Sequence, residues 1–394
     1  MLLTVSKRLE FSASRRLFDP KLSEAKNRAR FGEESAARYG TGRNYVAYFV
    51  FSGSVDPETG MLINISELKR RAGEVIDAGF DHKFLNEDNA AFAEVVPTPE
   101  NVAKQLFAEV EPLFRDSQAK LVACHLRETE TRSATAYASG VCDANFWFEF
   151  SAARQTMSPR LSAQENEQFF GGAASPFGHG HHYRARLTFR DPLPPVHDLI
   201  HSLGDELDHK NLNHEVPSLD GRAITTESLA AYIFERAAKT TAIERVRLHE
   251  RDDFFAEHWR DGADFVGMRK AFSAAHRLHV RTLSLEQNTE LFGKCNNLRG
   301  HGHRYLAEAT IGGTLDKRNG TLYNFREFQL ILNDAIKDWD NRHLDLETEE
   351  FRERPSTGEN IVQALWDRLN PRLTNRLERL RLWETNNNRF TLRR

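Results

Sequence analysis

Long apolar runs are missing from this chain. None approaches the roughly 20 residues that cross a bilayer, and the opening MLLTVSKRLEF lacks the apolar stretch of a secretion signal. No membrane association is expected, and a cytoplasmic location is the default. An excess of one charge is also missing: 54 Lys+Arg against 57 Asp+Glu gives a formal net charge of −3. Without a basic tract, no nucleic-acid partner is expected. Cysteine is scarce. Cys124, Cys142 and Cys295, odd in number and far apart, make no disulfide framework and suit a reducing compartment. What remains, 40% hydrophobic and 28% charged over 394 residues, describes a globular chain long enough for two or three domains.

Internal repetition sets the organisation. EFSASRRL around Phe11, EFSAAR around Phe150 and AFSAAHRL around Phe272 form one series. YGTGRNY, FGHGHHY and RGHGHRY, at Gly40, Gly178 and Gly300, form a second. Asp81-His82, Asp208-His209 and Asp340-Asn341 form a third, inside FDHKFLN, LDHKNLN and WDNRHLD. Thr98-Pro99-Glu100, Thr225-Thr226-Glu227 and Thr357-Gly358-Glu359 form a fourth, and the triplets ending at Glu128, Glu250 and Glu384 a fifth. Five series in one order predict three tandem domains, 1–140, 141–262 and 263–394. Each copy reads β-β-α-α-β-β. In repeat one, Leu3–Arg16 and Tyr45–Val55 are rich in β-branched and aromatic residues. DPETG marks a turn, Ser66 starts a helical pattern, and Thr98 before Pro99 reads as an N-cap with proline at the first helical position. The fold class is α+β, an antiparallel sheet with helices on one face.

The chemistry concentrates between Phe272 and Tyr305. His301 and His303 are two apart, so on a strand both imidazoles project from one face. A hairpin would bring His276 alongside. Three imidazoles without a fourth protein ligand suit a catalytic zinc with an open position. Cys295 sits in the turn-rich GKCNN loop, where neighbouring cations would favour its thiolate as a base or nucleophile. The plainer reading is a pair of surface histidines beside a glycine, with an inert cysteine.

FSAAHRL, LFGKCNN and GHGHRY together resemble the 6-pyruvoyl-tetrahydropterin synthase family, with 6-carboxytetrahydropterin synthase as a relative on the same scaffold. The resemblance implies a tunnelling fold whose subunits form trimers that stack as hexamers. Three fused copies would then form a pseudo-trimeric antiparallel β-barrel with helices outside, and two chains a homodimer of pseudo-trimers. It also implies Zn2+ on His276, His301 and His303, with Cys295 as the proton-abstracting residue. An Asp-His pair would come from a neighbouring subunit: Asp81-His82 or Asp208-His209. Glu384 would anchor the pterin ring. Thr357 is a further candidate for the ring, although a threonine there is more often a helix cap.

The copies differ. Repeat two keeps His179 and His181 but has Arg154 and Ala173 at the first-histidine and cysteine positions. Repeat one has Arg15, Thr41, Arg43 and Ser35. Arginine does not ligate zinc, so each arginine is expected to neutralise leftover carboxylates. One working site per chain follows, between repeat three and a neighbour, with Asp340-Asn341 facing a copy whose own site has decayed. The family reading gives a phosphate-eliminating lyase that converts 7,8-dihydroneopterin triphosphate to 6-pyruvoyl-tetrahydropterin. Lys294 and Arg299 lie near in sequence for the triphosphate. Alternatives are the carboxy-pterin reaction of queuosine synthesis and a non-catalytic pterin-binding scaffold. A zinc hydrolase is disfavoured, because no glutamate base accompanies the histidines.

Overall fold

The computed structural model describes residues 1–190 and 196–394. They form two compact units, Leu2–Asn145 with Trp383–Phe390, and Phe146–Leu382 with Met1 and Thr391–Arg394. Among the described residues, no helix is long and apolar enough to cross a membrane.

The first unit holds repeat one: β1 (Leu2–Arg15), α1 (Glu24–Phe31), β2 (Thr41–Ser52), α2 (Ile65–Gly79), α3 (Pro99–Val110), β3 (Lys120–Arg127) and β4 (Arg132–Tyr137). Its antiparallel sheet runs β4-β3-β2-β1. Alternation on β1 buries Phe11, Ala13 and Arg15 on one face. Asn64 caps α2 through the Ser66 and Glu67 N–H groups. Thr98 caps α3 through Asn101 N–H, with Pro99 behind it. Leu68, Ala72 and Ile76 of α2, and Val102, Leu106 and Val110 of α3, form buried faces at helical spacing. Each large aliphatic side chain so buried contributes about 1.5–3 kcal/mol. The expected helical start at Ser66 thus falls one residue after Ile65, and α1 is a helix that the repeat pattern did not anticipate.

The second unit holds most of repeats two and three. Its elements are β5 (Cys142–Arg154, from Phe146 onward), α4 (Ala163–Phe170), β6 (His179–Arg190), α5 (Val196–Leu207), α6 (Thr226–Ala238), β7 (Ile243–Arg251) and β8 (Phe254–Trp259). Repeat three continues with β9 (Asp264–His276), α7 (Leu285–Phe292), β10 (His301–Gly313), α8 (Phe325–Ile336), α9 (Gly358–Leu369) and β11 (Leu377–Thr385, to Leu382). The final strand is Asn388–Arg393. One antiparallel sheet runs β5-β6-β7-β8-β9-β10-β11. It passes from repeat two to repeat three at β8–β9, where Phe254 pairs with Met268 and His258 with Asp264. Core residues such as Val246 and Leu248 alternate with buried charge. Arg247 reaches Glu257 at 3.2 Å and Glu308 at 2.8 Å, and Arg379 reaches Glu257 at 2.8 Å. These guanidinium groups hold both carboxyls well below the ordinary carboxylate range despite complete burial.

The architecture is α+β, with three tandem copies of the tunnelling fold in one chain. The same stacked aromatic pair recurs in each copy: Phe11–Tyr45, Phe150–Tyr183 and Phe272–Tyr305, with centroids 4.9, 4.9 and 5.1 Å apart.

Candidate metal and active site

Strand register builds the histidine cluster. β9 and β10 pair so that His276 faces His301 and Ala274 faces His303. The three rings lie 4.5–5.2 Å apart by centroid, and one nitrogen from each falls within 4.8 Å of the others. His276 is fully buried. Its Nδ1 donates to the Ser356 carbonyl at 2.9 Å, which leaves Nε2 with its lone pair, 3.2 Å from His301 Nε2. Two imidazole nitrogens aimed at one point need a shared cation or proton, so the donor set fits a divalent metal such as zinc. Asp345 supports the wall: one oxygen accepts Arg277 N–H and the other the Ser356 hydroxyl, both at 2.8 Å. Gly300 enters β10 at φ +73°, where a Cβ would lie 2.6 Å from His343 Nε2 and 2.7 Å from the His276 carbonyl. Glycine is required there.

Cys295 is half-buried in the 3₁₀ turn Gly293–Asn296. Its carbonyl accepts Leu278 N–H at 3.0 Å, tying the thiol-bearing loop to the end of β9. Asn288, fully buried, clamps that loop by accepting Val280 N–H and donating to the Val280, Leu283 and Ser284 carbonyls. Asn27 and Asn166 make the same clamp in repeats one and two. The sequence reading missed this asparagine, although each copy places it four residues after its capping serine, Ser23, Ser162 or Ser284. Lys294 and Arg299 are exposed on either side of Cys295.

Thr357 caps α9 by accepting Asn360 N–H at 3.3 Å, as Thr98 and Thr225 cap their helices. Glu384 belongs to the other unit, where it accepts from Asn388 Nδ2 at 2.9 Å; the Asn388 oxygen accepts from Lys7 Nζ at 2.8 Å.

The third series divides into a structural aspartate and an exposed partner. Asp81, Asp208 and Asp340 accept the N–H of Ser12, Ser151 and Ser273 in their own repeats, at 2.8, 2.8 and 2.7 Å. That bond is the largest cause holding Asp81 and Asp208 below the ordinary carboxylate range, and the adjacent histidine lowers both further. His82, His209 and Asn341 all have positive φ, 55°, 55° and 60°. Asparagine and histidine are both among the residues enriched in this left-handed conformation. Both histidines are 83% exposed, each ring 2.8 Å from its aspartate. Thr321 and Tyr323–Arg326 of repeat three line the pocket of repeat two.

Arginine occupies the corresponding positions of repeats one and two. Arg15, 1% exposed, directs Nε and Nη2 to Glu128 at 2.8 and 2.5 Å and Nη1 to Glu34 at 2.6 Å. Arg43 also bonds Glu34. Arg154 gives Nη2 to Glu250 at 2.5 Å, and Thr226 donates to the same oxygen. His181 Nε2 lies 3.2 Å from the other Glu250 oxygen. Among the described residues, the only group of three or more metal-ligating side chains is His276, His301 and His303.

His276, His301 and His303 form a possible metal-binding cluster near the Cys295 loop, and repeats one and two carry Arg15 and Arg154 at the position of His276. The family model for 6-pyruvoyl tetrahydropterin synthase matches residues 4–139, 145–261 and 266–394. The chain belongs to that family. It is 43% identical over 106 residues to 6-pyruvoyl tetrahydrobiopterin synthase of Drosophila melanogaster, covering 27% of this chain and 63% of that protein. To the human protein of the same name it is 38% identical over 125 residues, 31% of this chain and 86% of that one. The solved structure of Caenorhabditis elegans 6-pyruvoyl tetrahydropterin synthase matches 34% of this chain and 96% of its own, at 34% identity and TM-score 0.33.

Proposed function

We propose that this protein is a zinc-dependent 6-pyruvoyl-tetrahydropterin synthase, a carbon–oxygen lyase with one working site per chain, in repeat three. The observation that carries the reading is the internal contrast. His276, His301 and His303 converge beside the Cys295 loop, while Arg15 and Arg154 occupy the equivalent place in the other two copies.

The substrate is 7,8-dihydroneopterin triphosphate. Bound zinc supplies Lewis-acid polarisation of the side-chain hydroxyls, which acidifies the adjacent C–H bonds. The three histidines hold it, and the Ser356 carbonyl fixes the tautomer of His276. Cys295, held by its loop against the end of β9, takes the proton as thiolate. Redox transfer within the substrate and loss of triphosphate complete the conversion without an external redox cofactor. The Asp-His pair returns protons from a neighbouring repeat or a second chain. The 83% exposure of His82 and His209 supports delivery to a second chain.

Mass spectrometry of the products from zinc-loaded protein tests the reading. A pyruvoyl-pterin product, lost in Cys295→Ala, is expected. A carboxy-pterin product moves the protein to the deazapurine branch, and zinc binding without turnover makes it a pterin-binding scaffold.

A further inference from the structure

Repeats one and two have lost the same histidine to arginine, yet they have not closed in the same way. In repeat one, Arg15 spends all three nitrogens on Glu128, Glu34 and Thr41, and Arg43 adds a second lock on Glu34. Repeat two instead keeps a cavity of about 380 Å³. Arg154, 3% exposed, lines it. Its Nη2 is bound to Glu250 and Thr226, but Nε and Nη1 are buried and hydrogen-bond to nothing among the described residues. A buried cationic donor without an acceptor is costly. Native proteins keep such groups where water, an ion or a ligand completes them.

The rest of the cavity says what kind of ligand. Phe169 and Phe170 come from α4, Phe254 from β8, and Tyr323 and Phe325 from repeat three. Phe254 and Phe325 meet edge to face at 4.9 Å, so the aromatic wall crosses the join between the two repeats. That join is fixed by polar contacts. Thr225 Oγ1 donates to the Gly320 carbonyl at 2.6 Å, Ser158 Oγ to the Arg318 carbonyl at 2.6 Å, and Leu322 N–H to Glu227 at 3.3 Å. Aromatic walls favour a flat ring, and the volume admits a fused bicycle with a small substituent. Ala173 stands where repeat three has its thiol, so no nucleophile or base is supplied at that position.

We propose that repeat two holds a second, non-catalytic site for a planar aromatic ligand bearing an anionic group, with the anion on the unpartnered edge of Arg154. The proposal does not depend on which reaction repeat three performs.

The test is fluorescence titration of the full-length, zinc-loaded protein with pterin-6-carboxylate and with unsubstituted pterin. A binding component is expected that prefers the carboxylate by about tenfold, the scale of one charge-assisted hydrogen bond. It should survive His301→Ala/His303→Ala and lose its preference for the carboxylate in Arg154→Met. Ala173→Phe fills the cavity without touching the Arg154–Glu250 pair and should abolish the component, with zinc content and circular dichroism unchanged. Three results overturn the proposal: no component outside repeat three, equal affinity for the two probes, or full binding by a folded Ala173→Phe protein. If Arg154→Met does not fold, Ala173→Phe alone decides.

Discussion

Replacing Arg15 with methionine keeps the length of the side chain and removes its charge. In the folded protein, Arg15 is 1% exposed and the Glu128 side chain 4% exposed. After the substitution, the nearest groups left to Glu128 are the Tyr45 hydroxyl at 3.4 Å and Arg43 Nε at 3.8 Å. Neither replaces two hydrogen bonds at 2.8 and 2.5 Å. Removing one partner of a buried pair costs about 3–5 kcal/mol, because the other charge stays desolvated. Arg15→Met should therefore lose that amount in urea unfolding followed by circular dichroism. Adding Glu128→Gln removes the stranded charge, and the double variant should return to within about 1.5 kcal/mol of wild type. An Arg15→Met protein within about 0.5 kcal/mol of wild type would refute the reasoning, since that is the range of an uninvolved surface change. A double variant no better than the single would refute it too.

Further outcomes follow from the same geometry. Burial raises the Glu227 carboxyl to about 7, well above its ordinary 4.5. Its stabilising effect is complete below pH ~4.5 and is lost as pH rises to ~7, about 3 kcal/mol in all. Glu227→Gln should flatten this slope in Tm measured from pH 4.5 to 8; an unchanged slope would show that Glu227 is not its source. Gly300→Ala sets a Cβ against His343 and the His276 carbonyl in a left-handed turn. A loss of about 1–3 kcal/mol and weaker zinc retention are expected in calorimetry and metal analysis, against no change if the turn relaxes. Asn288→Ala strips the four hydrogen bonds that clamp the Cys295 loop. Activity should fall more than zinc content, and equal retention of both would contradict the loop's positioning role.

Most of the architecture was legible in the chain because repetition multiplies weak signals. One Thr-Pro pair is a modest hint of a helix start, but three caps at matching places are hard to mistake. The histidine cluster was legible because alternation and antiparallel pairing fix which side chains share a face, and the β9–β10 register does place His276 opposite His301. Other features were out of reach. The Asp81 and Asp208 carboxylates bind serine N–H groups 69 and 57 residues away in sequence, a pairing no local pattern announces. The cavity in repeat two is walled by Tyr323 and Phe325 from the next repeat, which depends on how the sheet joins at β8–β9. The contrast between a saturated Arg15 and a half-satisfied Arg154 is also invisible in sequence, where both read only as lost histidines.

Metal content per chain tests the central claim most directly. Protein loaded with excess zinc, then desalted and measured by plasma mass spectrometry, should hold one zinc per 394-residue chain. That zinc should be lost in His301→Ala/His303→Ala and retained in His179→Ala/His181→Ala. Zinc that persists after the repeat-three histidines are removed, or that depends on His179 and His181, would contradict a single working site built in repeat three.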